Sequence, residues 1–276
     1  MYGMYCFRCK AITVNDSYTQ DLTNELYDSL CQSFGGACPA AVFNLLSRTF
    51  FDANRDLEEA TFLVPTIVET FERYHMLIDA EVKKMGGTGL FIDIHGHAHL
   101  IQRAELGYIV RGDALNSGDP VDPDKTSIRS LGHRSRVPFD ELLRGNESFG
   151  GLLELYGFDA VPSPKNPGPG NNTYFNGGPN TRRHGSLHNG SFDAIQIESA
   201  KTPRNPDLRP KYVEALTSTI KRYYCKYYQN AMSQTDARVA KACAWDVDTE
   251  SSNSSSQLNY LNSVCLMILA YLLFMV

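Results

Sequence analysis

The chain has 276 residues, 42% of them hydrophobic and 21% charged, with a formal net charge of −5 and a pI near 5.8. That length buries a substantial core, and the proportions are those of a folded globular protein. The acidic balance, with no basic run or aromatic-basic stripe, argues against nucleic acid as a partner.

Residues 1–10 are an atypical N-terminus: Cys6-x-x-Cys9 has no second pair, so a zinc ribbon is not expected, and no apolar signal region precedes it. Residues 11–245 are expected to form one α/β domain. Asn15 and Asp16 suit the start of a helix whose Leu22, Leu26 and Leu30 recur every four residues, and Gly35-Gly36 stops it. Ala41–Leu46 reads as a buried strand. A long helix from Leu57 to Met85 opens on Asp56, Glu58 and Glu59, which favour a helix N-terminus, and Pro65 should kink or interrupt it. The apolar run 90–95 is the next strand, and strand–helix–strand spacing implies parallel pairing with a right-handed crossover.

Further strands are expected at Gly107–Val110 and Asp193–Glu198, with short helical pieces at Phe139–Leu143 and Phe149–Tyr156 and a helix from Lys211 to Tyr228. Residues 116–138 read as irregular. Pro162–Gly190 is a long loop of Pro, Gly and Asn carrying Arg182, Arg183, His184 and His188, which suits an active-site wall. Residues 246–263 form a Ser/Asn-rich linker and 264–276 an apolar tail, too short for the roughly 20 residues of a spanning helix. Small residues, a spacer and a terminal apolar run match a glycolipid (GPI) attachment signal with attachment at Asn253 or an adjacent Ser; a short tail anchor is the alternative. With Cys265 in that tail, six cysteines remain, an even number compatible with disulfides. Sequons at Asn15, Asn146, Asn171, Asn189 and Asn253 fit the same secretory, cell-surface setting.

The chemistry gathers at strand ends. Asp93-Ile-His95-Gly-His97-Ala-His99 places three histidines at alternate positions, and in an open α/β sheet the carboxyl ends of strands line the crevice. Asn54-Arg55, His95 and Glu198 sit at three such ends. Together they suit hydrolysis of an amide beside a carboxylate: a metal polarises the carbonyl, a Glu moves protons, and an Arg grips the carboxylate. Each has a plainer reading. Arg55 pairs equally well with Asp52 or Glu58, and Glu198 with Lys201. His97 and His99 read as loop or supporting residues, His133, His184 and His188 as solvent-facing or substrate-adjacent, and His75 as structural.

As an ordered set, Asp52-Ala-Asn-Arg55, Asp93-Ile-His95, Pro162-Ser-Pro, Tyr174-Phe-Asn-Gly-Gly178, Thr181-Arg-Arg-His-Gly185 and Ala194-Ile-Gln-Ile-Glu198 resemble the N-formylglutamate amidohydrolase family. That family belongs to the zinc-carboxypeptidase-like superfamily, with aspartoacylase, and the resemblance covers residues 12–230. It implies a three-layer α/β/α sandwich around a mixed, mostly parallel sheet. By it, His95 is a Zn2+ ligand and Glu198 the general acid/base. Asn54 and Arg55 bind the substrate carboxylate, and Arg182 or Arg183 makes a further anion contact. The implied substrate is an N-acylated small molecule or peptide end bearing a carboxylate; a membrane partner is expected separately, from the C-terminal tail or its GPI anchor.

One element of the superfamily pattern is missing. Its zinc site includes a His and a Glu three residues apart, or an equivalent pair, ahead of the Asn-Arg motif. None of the seven histidines here has Glu at the third following position, and none precedes His75. An absent upstream segment would account for this and for the missing signal region together. The other expectation is a non-catalytic, GPI-anchored ligand-binding protein on the same fold.

Overall fold

The structure is a computed structural model that describes residues 16–229, 236–248 and 266–271. Cys6, Cys9, the sequons at Asn15 and Asn253, most of the polar linker and the ends of the apolar tail lie outside these residues.

The fold is α/β. Strands β1 (Ala40–Asn44), β2 (Gly89–Gly96), β3 (Ala104–Gly107), β4 (Ala160–Val161), β5 (Phe192–Ser199) and β6 (Leu266–Tyr271) form one sheet in the order β1-β6-β2-β5-β3-β4. Every neighbouring pair is parallel except β3 with β5, so the sheet is mixed. β2 and β5 are buried along their whole length, as central strands covered on both faces must be.

Alternation along these two strands sorts the core. Leu90, Ile92, Ile94, Ile195 and Ile197 pack in one cluster with Leu22, Leu26 and Leu30 of α1 (Thr19–Ser33) and Tyr212, Leu216 and Ile220 of α10 (Arg209–Tyr227). Phe91 and Ala194 face the other way, against Phe71, Tyr74 and Ile78 of α3 (Pro65–Met85). Asp93, His95, Gln196 and Glu198 follow Phe91 and Ala194 by the two-residue period, so they lie on the α3 side.

The helix expected from Leu57 to Met85 is two helices, α2 (Leu57–Thr61) and α3. Phe62 and Leu63 take positive φ between them, and Pro65 opens α3 at its first turn, where its missing N–H costs nothing. The strand expected at 107–110 lies three residues earlier, because Ala104–Gly107 is the stretch that pairs with β4 and β5. The stretch 116–138 is not wholly irregular: it holds a 3-10 turn at Pro123–Lys125 and α5 (Arg129–Arg134). The loop 162–190 folds at its end into α8 (Pro179–His184). β1 and β2 are parallel as expected but not adjacent, because β6, from within the apolar tail, is hydrogen-bonded between them. Cys31 is bonded to Cys38 and Cys225 to Cys243. No helix among the described residues is long and apolar enough to cross a membrane.

Candidate functional site

Three strands bring their polar residues into one row. His95 of β2 is in register with Glu198 of β5, which is in register with Glu105 of β3. Residues directly opposite on neighbouring strands share a face, so an imidazole and two carboxyls line up across the sheet on its α3 side. All three are buried.

His95 is flanked by acids on both sides of its ring. Its Nδ1 lies 3.3 Å from Asp16 Oδ2 and its Nε2 lies 3.1 Å from Asp93 Oδ1. Asn54 Nδ2 is 3.4 Å from the same Nε2. Burial works against a charged imidazole, but the Asp93 charge, the bonds to Asp16 and Asp93, and Glu198 outweigh it and hold the His95 pKa well above the ordinary value. Asp93 is fully buried, and neither of its oxygens accepts a well-angled hydrogen bond; its contact with His95 is an ion pair by distance alone. Glu198 is shifted up to about 8, first by burial and further by Asp16, Asp93 and Glu105, against the pull of His95.

The end of β2 continues the site toward β3. His99 Nδ1 lies 2.8 Å from Glu105 Oε1, and His97 Nε2 lies 3.9 Å from the same oxygen. His97 Nε2–H donates to the Arg103 carbonyl at 2.9 Å, and its Nδ1 accepts the His99 backbone N–H at 3.1 Å. Burial lowers the His97 pKa despite the nearby Glu105. The ring of His99 stacks on Phe175 at 4.7 Å, whose backbone N–H donates to Glu105 Oε2 at 2.8 Å. His97, His99 and Glu105 are a group that could hold a metal ion: one donor atom from each lies within 4.8 Å of the others.

On the other side, beyond Asn54, lies a cleft of about 440 Å³ lined by Arg55, Leu57, Phe71, His75, Asp79 and Arg183, among others, with none of the row's own residues in its lining. Asn54 links the two: its Oδ1 accepts the Asn180 backbone N–H at 3.3 Å, and a Cβ at Gly178 would overlap its amide. Arg55 donates to the Asn54 carbonyl at 2.9 Å and lies 3.7 Å from Asp52, a partly exposed pairing that leaves its guanidinium on the cleft wall. Arg183 lies over the Phe71 ring at 5.9 Å. Arg182, its neighbour on α8, is exposed and is not among the residues lining this cleft. At the cleft floor His75 Nδ1 is hydrogen-bonded to His184 Nε2 at 2.8 Å, and His184 Nδ1 is 3.3 Å from Asp79. Burial, with Arg183 and His184 alongside, takes the His75 pKa down to about 3.

Of the residues singled out from sequence, the structure brings together His95 and Glu198 at the strand ends; Asn54 reaches His95 from a loop ten residues past the end of β1 rather than from a strand end, and Arg55 and Arg183 line the cleft beyond it. Glu198 forms no ion pair with Lys201, whose side chain is exposed. Asp16, Asp93 and Glu105 complete the charge arrangement and were not picked out as site residues. Glu105 sits in a strand offset from the one expected, and only the antiparallel register with β5 reveals it. His75 and His184 look unrelated in the chain, 109 positions apart, yet their rings are stacked at 5.1 Å.

No family model, no curated protein and no solved structure matches this chain.

Proposed function

We propose that the protein is a zinc-dependent amidohydrolase of the carboxypeptidase-like kind, acting on an N-acylated, carboxylate-bearing small molecule or peptide end. The observation that supports this best is the row itself. A proton-exchanging carboxyl, Glu198, stands between an imidazole and a group suited to a metal, and a two-arginine cleft adjoins it.

The chain's own residues divide the work. Glu198, pushed up to about 8 by burial and neighbouring acids, takes a proton from an attacking water when ionised and returns it to the departing amine nitrogen, the exchange that a raised carboxyl pKa favours. Asn54 and Arg55 hold the substrate carboxylate, and Arg183 across the cleft adds a second cation. His95, pinned between Asp16 and Asp93, keeps Asn54 and the strand ends in place. A bound metal ion would polarise the scissile carbonyl. The disulfides Cys31–Cys38 and Cys225–Cys243 support an oxidising, extracellular setting.

A ligand-binding protein without turnover is the second reading. It is favoured by the crowding of both His95 nitrogens against carboxylates.

The experiment is formate release from N-formyl-L-glutamate and from its neutral diamide by the zinc-loaded protein. Release from the acid only is expected. Arg55→Ala should raise KM about 10- to 100-fold, the equivalent of about 1.5–3 kcal/mol for one charge-assisted bond. Binding of such acids with no release from any N-acyl acid would favour the second reading. Equal turnover of acid and diamide would remove the role given to Arg55.

A further inference from the structure

An ion on His95 is what the resemblance implies, and the donors there do not fit one. Nε2 of His95 and Oδ1 of Asp93 converge, 3.1 Å apart, while Nδ1 points at Asp16 on the opposite side of the ring. Catalytic zinc takes three donors from its protein. Among the described residues His95 and Asp93 supply two, and Asn54 presents its amide nitrogen, which is not a donor of lone pairs.

Three donors do converge a few ångströms along the same strand end. We infer that this protein binds its divalent metal ion on His97, His99 and Glu105, and that His95 is a positioning residue beside that centre rather than a ligand. The binding claim stands on geometry alone; only the ion's use in amide cleavage rests on the reading above.

The arrangement is built by the fold. His97 and His99 are two apart where β2 runs out, so their rings fall on one side, 4.8 Å between centroids. Glu105 reaches them because β3 runs antiparallel to β5 and carries its carboxyl back toward the same end. Each donor is held from behind. Phe175 stacks on His99 and ties down the second Glu105 oxygen, leaving Oε1 directed at the histidines. His97 bonds to the Arg103 carbonyl through Nε2–H and to the His99 N–H through Nδ1; a neutral imidazole keeps one N–H, so ion uptake takes Nδ1 and displaces the second bond. The other remains as the kind of outer contact that orients a ligating histidine.

His97 and Glu105 are buried, but the His99 side chain is 23% exposed, which gives an ion a way in and a solvent-facing coordination position. Two imidazoles and one carboxylate select zinc or a neighbouring late first-row ion over calcium or magnesium, which prefer oxygen donors throughout. Glu198 is the strand neighbour of Glu105, so the centre lies beside the group proposed to move protons.

The test uses the full chain, stripped with a chelator and titrated with Co2+, followed by competition with Zn2+. One equivalent of cobalt with a visible absorption band is expected. His99→Ala and Glu105→Gln should each weaken binding at least about tenfold, since each leaves two donors. His99→Cys, which restores a soft donor, should recover binding and add a thiolate-to-cobalt band. His95→Ala and Asp93→Asn should bind within about threefold of the parent. Circular dichroism shows that each variant is folded, and His99, being partly exposed, is the safest to change. Absence of stoichiometric binding by the folded parent would overturn the inference. So would loss of binding in His95→Ala or Asp93→Asn with His99→Ala unaffected. If cobalt binds as described and no amide is cleaved, the functional reading falls and the metal centre stands. If metal-free His99→Ala cleaves amides as well as the parent, the metal dependence in the functional reading falls, and cobalt binding by the parent alone decides the metal centre.

Discussion

Glu198 and His95 show how opposite charges are balanced inside the strand row. Both are buried, and each departs from its ordinary protonation toward binding a proton: Glu198 first because burial disfavours its charge and then because Asp16 and Asp93 are near, His95 because the same two acids outweigh its burial. The proximity of His95 and Glu198 was legible in the sequence, since each ends a buried apolar run and such ends converge. Glu105 was not, because cross-strand register is a long-range property. The cleft floor offers a separate residue-level prediction. Folded His75 has a pKa of about 3, while an unfolded histidine titrates near 6.5. Between these values the unfolded chain binds the extra proton. The stability due to neutral His75 is therefore complete above about pH 6.5 and is lost as pH falls toward 3, by about 1.4 kcal/mol for each pH unit within that window. The groups facing it are Arg183, His184 and Asp79; Asp79, itself lowered chiefly by its bond to His184, contributes below the ordinary carboxylate range. Glu198, raised to about 8, contributes the opposite slope over the same range, so the readout is the difference: denaturant unfolding between pH 6.5 and 4.5 should lose more stability toward acid in the parent than in His75→Phe. Identical slopes in the two proteins would show that His75 is not held neutral by the fold.

At the scale of elements, local signals identified α1, β2, β5 and α10 to within a few residues, because their apolar periodicity and their Gly and Pro boundaries agree. Pro65 was correctly placed as an interruption, yet it starts a helix rather than bending one. β6 was beyond local reasoning. An apolar terminal run reads as a cleaved glycolipid signal, and only pairing partners at positions 40–44 and 90–94 make it a strand. The two roles exclude each other in one mature chain. Among the described residues β1 pairs with no strand but β6, so a chain ending at Asn253 should lose its sheet partner there. We expect such a chain to be less stable by about 3 kcal/mol, or roughly 6–12 °C in Tm for a protein of this size. Thermal melts of the two lengths check this. An unchanged Tm, together with a mature chain ending near Asn253 by mass spectrometry and release by a phosphatidylinositol-specific phospholipase, would mean that the tail is a signal.

Across the whole molecule, the α/β class followed from the alternation of buried apolar runs with amphipathic segments, and the mixed sheet builds the candidate site: the row of His95, Glu198 and Glu105 lies where β2, β5 and the reversed β3 meet. In the proposed function, the metal group, the proton-exchanging carboxyl and the two-arginine cleft serve one amide hydrolysis. Its most direct test is the rate of formate release from N-formyl-L-glutamate, measured on samples whose metal content is determined in parallel, for the parent and for Glu198→Gln. The account predicts activity that rises with bound metal and falls about 100- to 10,000-fold in Glu198→Gln at unchanged metal content, the range expected when a general acid/base is removed. Metal-independent activity, or full activity in Glu198→Gln, would contradict it.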